Sequence, residues 1–189
     1  LYVDGCLADG EEEDINWIFN LLANRFDCKD TEELSIDSPL DYLGIEVSMD
    51  QEHLYLSMAN YIEKAIKSMK LEVPTKEIST PIHQPIDTES EPLDAKQKRE
   101  FLTALGMLGW LAQTVRCDVS YSYSRIGQHA ASPTISAMKA FNRVFQYLFQ
   151  TKDLALCTSI YGNDLDIENV NHTRQHQQRS MPVSYTHLR

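Results

Sequence analysis

The sequence predicts an α+β fold, with β-hairpins in its first part and helices in its second. Within residues 1–9 two short apolar runs flank Asp4-Gly5, and within residues 40–56 apolar and polar residues alternate on either side of a turn. Both patterns are typical of a β-hairpin. From Ser57 onwards the apolar residues recur at intervals of three and four, which is the period of an amphipathic helix. The 189 residues are 42% hydrophobic and 24% charged, a composition typical of a globular protein.

Each element follows from a local signal. The first hairpin turns at Asp4-Gly5, and in the second hairpin residues 40–49 and 54–56 are the strands on either side of a turn at 50–53. Helices are predicted over residues 12–26, 58–70, 95–115, 118–130 and 133–150. Ser57, Asp94, Asp118 and Ser132 are suited to cap the later four. In the first helix we expect five inward-facing side chains: Ile15, Ile18, Phe19, Leu22 and Phe26.

Composition divides the chain into segments. Residues 72–93 contain four prolines among Ser, Thr and acids, which indicates a linker or an ordered surface loop between two parts of the chain. The segments are therefore residues 1–56, 57–71, 72–93 and 94–155, followed by a polar tail at 156–182. Residues 183–189 read like a translated adapter of a sequencing library, so they are left out of the predicted fold. Because the chain opens inside a strand, we expect it to be a fragment.

The charge is unevenly distributed. Residues 1–57 carry a formal charge of −13 and residues 58–189 one of +2, which together give −11. Bulk electrostatics therefore do not predict strong independent binding of nucleic acid. The four cysteines form no C-x-x-C pair, which favours reduced thiols in an intracellular protein. No apolar run approaches 18 residues, so no membrane partner is predicted.

Seven short strings, in one order and at matching intervals, resemble the copia-type retrotransposon reverse transcriptase. That family usually shows YVDD, FLGIEI, LSQxxYI, TP, GSLxYLA, RPDI and YLxGT. The chain has YVDG at 2–5, DYLGIEV at 41–47, LYLS at 54–57 with Tyr61-Ile62, STP at 79–81, GMLGWLA at 106–112, RCDVSY at 116–121, and YLFQT at 147–151. The resemblance covers about residues 1–155, from the family's YVDD string onwards.

The resemblance implies a partial polymerase palm with two β-hairpins and a helix, then a thumb helix and a helical connecting region. It makes Asp4 a catalytic carboxylate and a ligand of Mg²⁺, which prefers oxygen ligands. In an enzyme of this type two metal ions stabilise the attacking and leaving oxygens of phosphoryl transfer. Gly5 stands where the family has a second acid, and the facing acid lies on a strand that this chain lacks. Tight Mg²⁺ binding is therefore not expected here, and Asp4-Gly5 is also compatible with an ordinary exposed turn.

The resemblance also implies contacts to nucleic acid. The hairpin at 40–56 corresponds to the one that holds the primer end, and Gly44 in mid-strand either permits close approach of a backbone or only relieves packing. Lys64, Lys67 and Lys70 lie at spacing three on the thumb-like helix. They form either a solvated face or a row of phosphate contacts. Arg116 and Asp118 are expected to fix a turn between helices, although Cys117 replaces the family's proline.

Two function classes follow. The first is a piece of an RNA-directed DNA polymerase, inactive alone, whose parent would bind an RNA template, a DNA primer and the remaining polyprotein domains. Its location would be intracellular, in the cytoplasm or in a retroelement particle. The second is a non-catalytic relic that binds nucleic acid or another protein. The replacement of an acid by Gly5 favours the second class, and the intact downstream strings favour the first.

Overall fold

A computed structural model describes residues 5–71, 76–160 and 183–187. The chain divides into two compact units. The first unit is drawn from residues 1–56 and 157–189, and the second unit from residues 57–156. Helices and antiparallel sheets are both present, so the predicted α+β class is confirmed.

The first unit contains most of the strands. In chain order they are β1 (Gly5–Asp9), β2 (Glu32–Glu33), β3 (Leu40–Tyr42), β4 (Ile45–Met49), β5 (His53–Ser57), β6 (Leu156–Ser159) and β7 (Val183–His187), with helix α1 (Glu12–Ala23) after β1. One sheet has the order β1-β7-β2 and the other β3-β4-β5-β6. Leu34, Leu40 and Val47 form the core beside the second sheet, and Cys6, Ile15 and Phe19 form a separate cluster between β1 and α1.

Leu1–Asp4 lie outside the described residues, and the described part of the first hairpin is the single strand β1, which pairs antiparallel with β7. Two details of α1 differ from the prediction. Helix α1 ends at Ala23, short of the predicted residue 26, so Phe26 lies beyond the helix and is 52% exposed. Ile18 is 38% exposed, because only the Ile15 and Phe19 side of the helix faces β1.

The predicted strand over 40–49 is in fact two strands. Tyr42 pairs with Ile45, so β3 and β4 form a hairpin of their own with Leu43 and Gly44 as its two-residue loop. Both loop residues have positive φ, 56° and 80°, which is the signature of a type I′ turn. Asp41 Oδ1 accepts a hydrogen bond from the Gly44 amide at 3.0 Å and closes the loop. Gly44 is therefore a turn residue and does not lie in mid-strand.

The second unit is helical. It contains α2 (Ala59–Met69), α3 (Ala95–Gln113), α4 (Ser120–Gly127) and α5 (Ile135–Gln150), with a 3-10 turn at Cys117–Val119. Asp94 caps α3 as predicted, and its carboxylate accepts from the Lys96 and Gln97 amides at 2.8 Å. The predicted caps at Asp118 and Ser132 are wrong. The Asp118 carboxylate binds Arg116 instead, and the Thr134 hydroxyl accepts from the Ala137 amide at the start of α5.

Aromatic and small residues pack the helices of the second unit together. The ring of Phe141 lies 6.1 Å from that of Phe101 and 4.9 Å from that of Phe145, measured between centroids. A Cβ added at Gly109 would come within 3.0 Å of the Tyr123 ring, so this glycine permits the close approach of α3 and α4. Nothing lies within 4 Å of a Cβ added at Gly106, so this second glycine of α3 is not required for close helix packing.

The proline-rich stretch is an ordered strap, defined here as residues 76–93, that runs antiparallel along α5. At the C-terminal end of α5, the Gln150 side chain accepts from the Ile78 amide at 2.8 Å and donates to the Lys76 carbonyl at 2.7 Å. At the N-terminal end, the Ser136 hydroxyl accepts from the Asp87 amide at 3.0 Å. The strap and the helices on either side of it thus belong to the same compact unit.

The tail also differs from the prediction. Residues 156–159, expected to begin a polar tail, form β6 at the edge of the second sheet, and the Ile160 amide donates to the Glu52 carbonyl at 2.9 Å. The pairing satisfies backbone groups that β5 would otherwise leave open on that side. Residues 161–182 lie outside the described residues, and the segment 183–187, left out of the predicted fold, pairs as β7 with β1 and β2.

The β3–β4 turn generates the first prediction. Replacing Leu43 by Asn should stabilise the hairpin by roughly 0.5–1 kcal/mol, because Asn tolerates the left-handed region better than Leu. Gly44→Ala should destabilise the hairpin by about 1 kcal/mol, since a Cβ is disfavoured at φ 80°. Amide hydrogen exchange of β3 and β4 measures both changes. Leu43→Val is the control and should not stabilise; equal protection in all four proteins would contradict the turn assignment.

Candidate nucleic-acid interface

The predicted catalytic carboxylate cannot be placed. Asp4 lies outside the described residues, and the structure describes β1 only from Gly5, whose Cα pairs with that of His187. Within residues 5–71, 76–160 and 183–187, no group of three or more His, Cys, Asp or Glu side chains is arranged to hold a metal ion. The described residues thus do not form a site that fits Mg²⁺ by themselves.

The tip of the β4–β5 hairpin is organised by one carboxylate. Asp50 Oδ1 accepts from the Glu52 and His53 amides at 2.8 and 2.7 Å, and Oδ2 accepts from the Tyr55 hydroxyl at 2.8 Å. The His53 ring nitrogen lies 3.5 Å from Oδ1. These interactions hold the turn predicted at residues 50–53 in one conformation and use both carboxylate oxygens. Asp50 is therefore engaged in the turn itself.

The same hydrogen bonds shift two pKa values in opposite directions. The Glu52 amide, the Tyr55 hydroxyl and the His53 amide stabilise the carboxylate and lower the pKa of Asp50 to about 2. The hydrogen bond to Asp50, together with partial burial, raises the pKa of Tyr55 to about 12. Sequence reasoning missed this pair, although an acid at the first position of a turn is a recognisable signal for such bonds.

The three lysines of α2 lie where the sequence placed them, on the solvent side of an amphipathic helix. Ile62, Ala65 and Ile66 are buried, whereas Lys64, Lys67 and Lys70 are exposed. Lys67 Nζ lies 3.8 Å from the Glu63 carboxylate, a loose contact that contributes little because the lysine is largely exposed. Lys70 has a φ of 54° and ends the helix in the left-handed conformation.

Helix α2 is held in place by contacts near its middle and at its N-terminal end. The Glu63 carboxylate accepts a hydrogen bond from Lys152, and this bond lowers the pKa of Glu63 and raises that of Lys152. At the N-terminal end, the Thr114 hydroxyl lies 3.2 Å from the fully buried Met58 sulfur. Met58 thus packs in the core of the second unit.

Arg116 is the most deeply embedded charge in the described part of the chain. Its side chain is 2% exposed. The Nε and Nη2 atoms donate to the two oxygens of Asp118 at 2.9 and 2.8 Å, and Nη1 and Nη2 donate to the carbonyl and hydroxyl of Thr151 at 3.0 and 2.7 Å. The Tyr147 hydroxyl donates to Asp118 at 3.0 Å. These contacts of Arg116 are all internal, as expected for a residue that fixes a turn.

Burial and charge compete at this cluster. Burial raises the pKa of the Asp118 carboxyl, but the hydrogen bonds and positive charge of Arg116 outweigh it and hold that pKa below its ordinary value. Burial and the bond to Asp118 raise the pKa of Tyr147. Sequence reasoning quoted Tyr147 and Thr151 as part of a string without assigning them a role. Their spacing of four on one helix face is the signal that could have paired them.

The chain matches no known family profile and no solved structure. Within the residues that the structure describes, no helix is both long and apolar enough to cross a membrane.

The Asp50–Tyr55 pair generates the second prediction. Asp50→Asn should lower the pKa of Tyr55 from about 12 towards its ordinary value of 10.0, because the neutral amide no longer stabilises the protonated phenol. Nuclear magnetic resonance of the labelled tyrosine ring against pH measures the shift. Glu52→Gln, which removes a neighbouring acid, is the control. A Tyr55 that still titrates near 12 in the Asp50→Asn variant would contradict the assignment.

The directions of the two shifts set the pH range over which the pair stabilises the hairpin. The pKa of Asp50 is lowered from 3.8 to about 2, so its contribution is present above pH 3.8 and lost as the pH falls through 2. The pKa of Tyr55 is raised from 10.0 to about 12, so its contribution is present below pH 10 and lost as the pH rises through 12. Protection of the hairpin amides against hydrogen exchange should therefore be highest between pH 3.8 and pH 10.0.

Proposed function

We propose that this chain is the distal part of an RNA-directed DNA polymerase of the copia type. In this proposal it is inactive alone, and its helix α2 contacts the phosphate backbone of the template–primer duplex. The observation that carries the proposal is the row of exposed lysines on α2, at the place where the resemblance puts a thumb helix. The order of the seven strings supports the proposed family, and the lysine row supports the proposed contact surface.

The geometry of the row suits a phosphate backbone. Lys64 and Lys70 are six residues apart on one helix, which corresponds to about 9 Å along its axis. One nucleic-acid strand carries a phosphate about every 3.4 Å of helix rise, so the row can span two or three phosphates. Ammonium groups on flexible stems would neutralise these charges without reading the base sequence.

The setting of α2 also supports a role in binding a ligand. Glu63, the acid within the lysine row, is engaged by Lys152 at the end of α5. That bond offsets part of its negative charge and ties α2 to a second helix. The helix is further fixed by the burial of Met58 and Ile62, both fully inaccessible to solvent. A rigid helix loses little conformational entropy when it binds.

Two of the seven strings contact each other, which supports reading them as parts of one structural design. Arg116 and Asp118 come from the RCDVSY string, and Tyr147 and Thr151 from the YLFQT string. The four side chains share one hydrogen-bond network, although 29 residues separate Asp118 from Tyr147 and 35 separate Arg116 from Thr151. A contact between two strings that are distant in the sequence is expected if both strings belong to the same fold.

The second candidate is a non-catalytic nucleic-acid-binding or protein-interaction relic of such an element. Gly5 favours this second candidate, because glycine provides no carboxylate at the position where the family has an acid. In the parent enzyme, bound Mg²⁺ would polarise the reacting phosphate. In this chain Asp4 is the candidate ligand, and the described residues add no further cluster of ligands. Phosphoryl transfer therefore requires residues outside this set.

The lysine row generates the third prediction. The triple variant Lys64→Gln, Lys67→Gln, Lys70→Gln should weaken binding of an RNA–DNA template–primer duplex at low salt. It should also lower the slope of log K against log salt by about two, since each phosphate contact contributes roughly 0.7–0.9. Fluorescence anisotropy of a labelled duplex at several salt concentrations measures both quantities.

The matched control removes three other exposed charges, through Lys76→Gln, Lys96→Gln and Arg99→Gln. It changes the net charge equally and should leave the slope close to that of the parent chain. If the two triple variants weaken binding and lower the salt slope equally, the effect comes from net charge alone. That result would contradict the proposed contact. Primer extension by the unmodified chain would contradict the proposal that it is inactive alone.

A further inference from the structure

A small cavity lies between the strap and α5, apart from the lysine row of α2. The strap is bonded to α5 at Gln150 and again at Ser136, and between these two attachments it leaves an open space of about 160 Å³. The strap contributes Ile82, His83, Gln84 and Pro85 to the wall, and α5 contributes Ser136, Lys139, Ala140 and Arg143. The cavity therefore has one wall from each of two mutually bonded segments.

The lining is cationic. Lys139 and Arg143 are one helical turn apart on the same face of α5, and no acidic residue is among the lining residues. Neither cation has an ion-pair partner among residues 5–71 and 76–160. The nearest acid along the strap, Asp87, accepts from the Glu89 amide at 2.9 Å. Two like charges held a turn apart repel each other, and a bound anion would remove this repulsion.

Arg143 also has an unmet hydrogen-bond donor. Its Nε atom is shielded from solvent and has no partner in the described structure. Leaving a shielded charged donor unpaired costs free energy. Because Nε is closed to solvent, it is also closed to a ligand in the cavity, and the contact to an anion falls to the terminal nitrogens of the guanidinium.

Neutral donors complete the lining. The Ser136 oxygen accepts from the Asp87 amide, so its hydrogen remains free to donate. The Gln84 side chain supplies an amide that can donate two hydrogen bonds, and the His83 ring supplies a further N–H. A planar carboxylate offers two oxygens, whereas a phosphate group offers three or four in a tetrahedral arrangement that suits donors converging from two walls.

We infer that this cavity binds a single phosphate group through Lys139, Arg143 and Ser136. Its volume is well below the roughly 300–1,000 Å³ of pockets that enclose a drug-sized ligand, so it accommodates one small anion or one phosphate of a larger molecule. Two sources share this chemistry, a free phosphate monoanion or dianion and a phosphodiester of a nucleic-acid strand. The site would position its ligand against α5, independently of the α2 row.

The fourth prediction tests this site on the full chain with inorganic phosphate as the probe. Titration of phosphate at constant ionic strength, followed by amide nuclear magnetic resonance, should produce saturable shifts at residues 82–85 and 136–143. Lys139→Gln and Arg143→Gln should each raise the fitted Kd for phosphate by about tenfold or more, the effect expected for loss of a charge-assisted bond. Lys96→Gln and Arg99→Gln, exposed charges on α3, should leave it unchanged.

A second arm distinguishes the sources. If the phosphodiester is the preferred ligand, a short single-stranded oligonucleotide will shift the same amides at a lower concentration than phosphate does. If free phosphate is preferred, the oligonucleotide will shift them more weakly. The triple lysine variant of α2 should bind phosphate like the parent chain, so failure of the α2 proposal leaves this test intact. Shifts that rise linearly without saturation, or that persist in both the Lys139 and Arg143 variants, would overturn the inference.

Discussion

The second unit depends on the buried Arg116 guanidinium. Its N–H donors have fixed directions, and four hydrogen bonds from them join Asp118, in the turn after α3, to Thr151, the first residue after α5. A buried charge without partners would be strongly unfavourable. The positions of Asp118 and Thr151 are therefore set by the arginine. Because α5 is fixed at this end, its other faces can hold the strap and, through the adjacent Lys152, helix α2.

Helix α5 consequently serves three sets of contacts. Phe141, Phe145 and Leu148 face the core, Ser136 and Gln150 bind the strap, and the cationic lining of the cavity lies between those two attachments. The proposed phosphate site follows from this arrangement, since a strap fixed at both ends leaves a space of defined size beside the helix. The α2 row is a separate basic surface that rests on its own buried face.

Local signals in the sequence predicted much of this fold. The α+β class, the five helices and the turn at Asp50 follow from period and turn chemistry, and Asp94 was identified as a cap. The errors arose where a competing interaction overrode the preference of a single residue. Asp118 binds Arg116 and does not cap α4, and the β3–β4 turn places Leu43 in a left-handed conformation that leucine disfavours. The Lys139–Arg143 cavity was beyond sequence reasoning, because one wall comes from a strap some 50 residues away.

The central claim is that the geometry of Arg116, and not its charge alone, fixes the second unit. Arg116→Lys keeps the charge but cannot reach Asp118 and Thr151 together, so it should lower the free energy of unfolding of α3 and α5 by about 2–3 kcal/mol. Urea unfolding followed by amide signals of these helices measures the loss. Arg99→Lys, on the exposed side of α3, should change it by less than about 0.5 kcal/mol. If both variants unfold at the urea concentration of the parent chain, the account is contradicted.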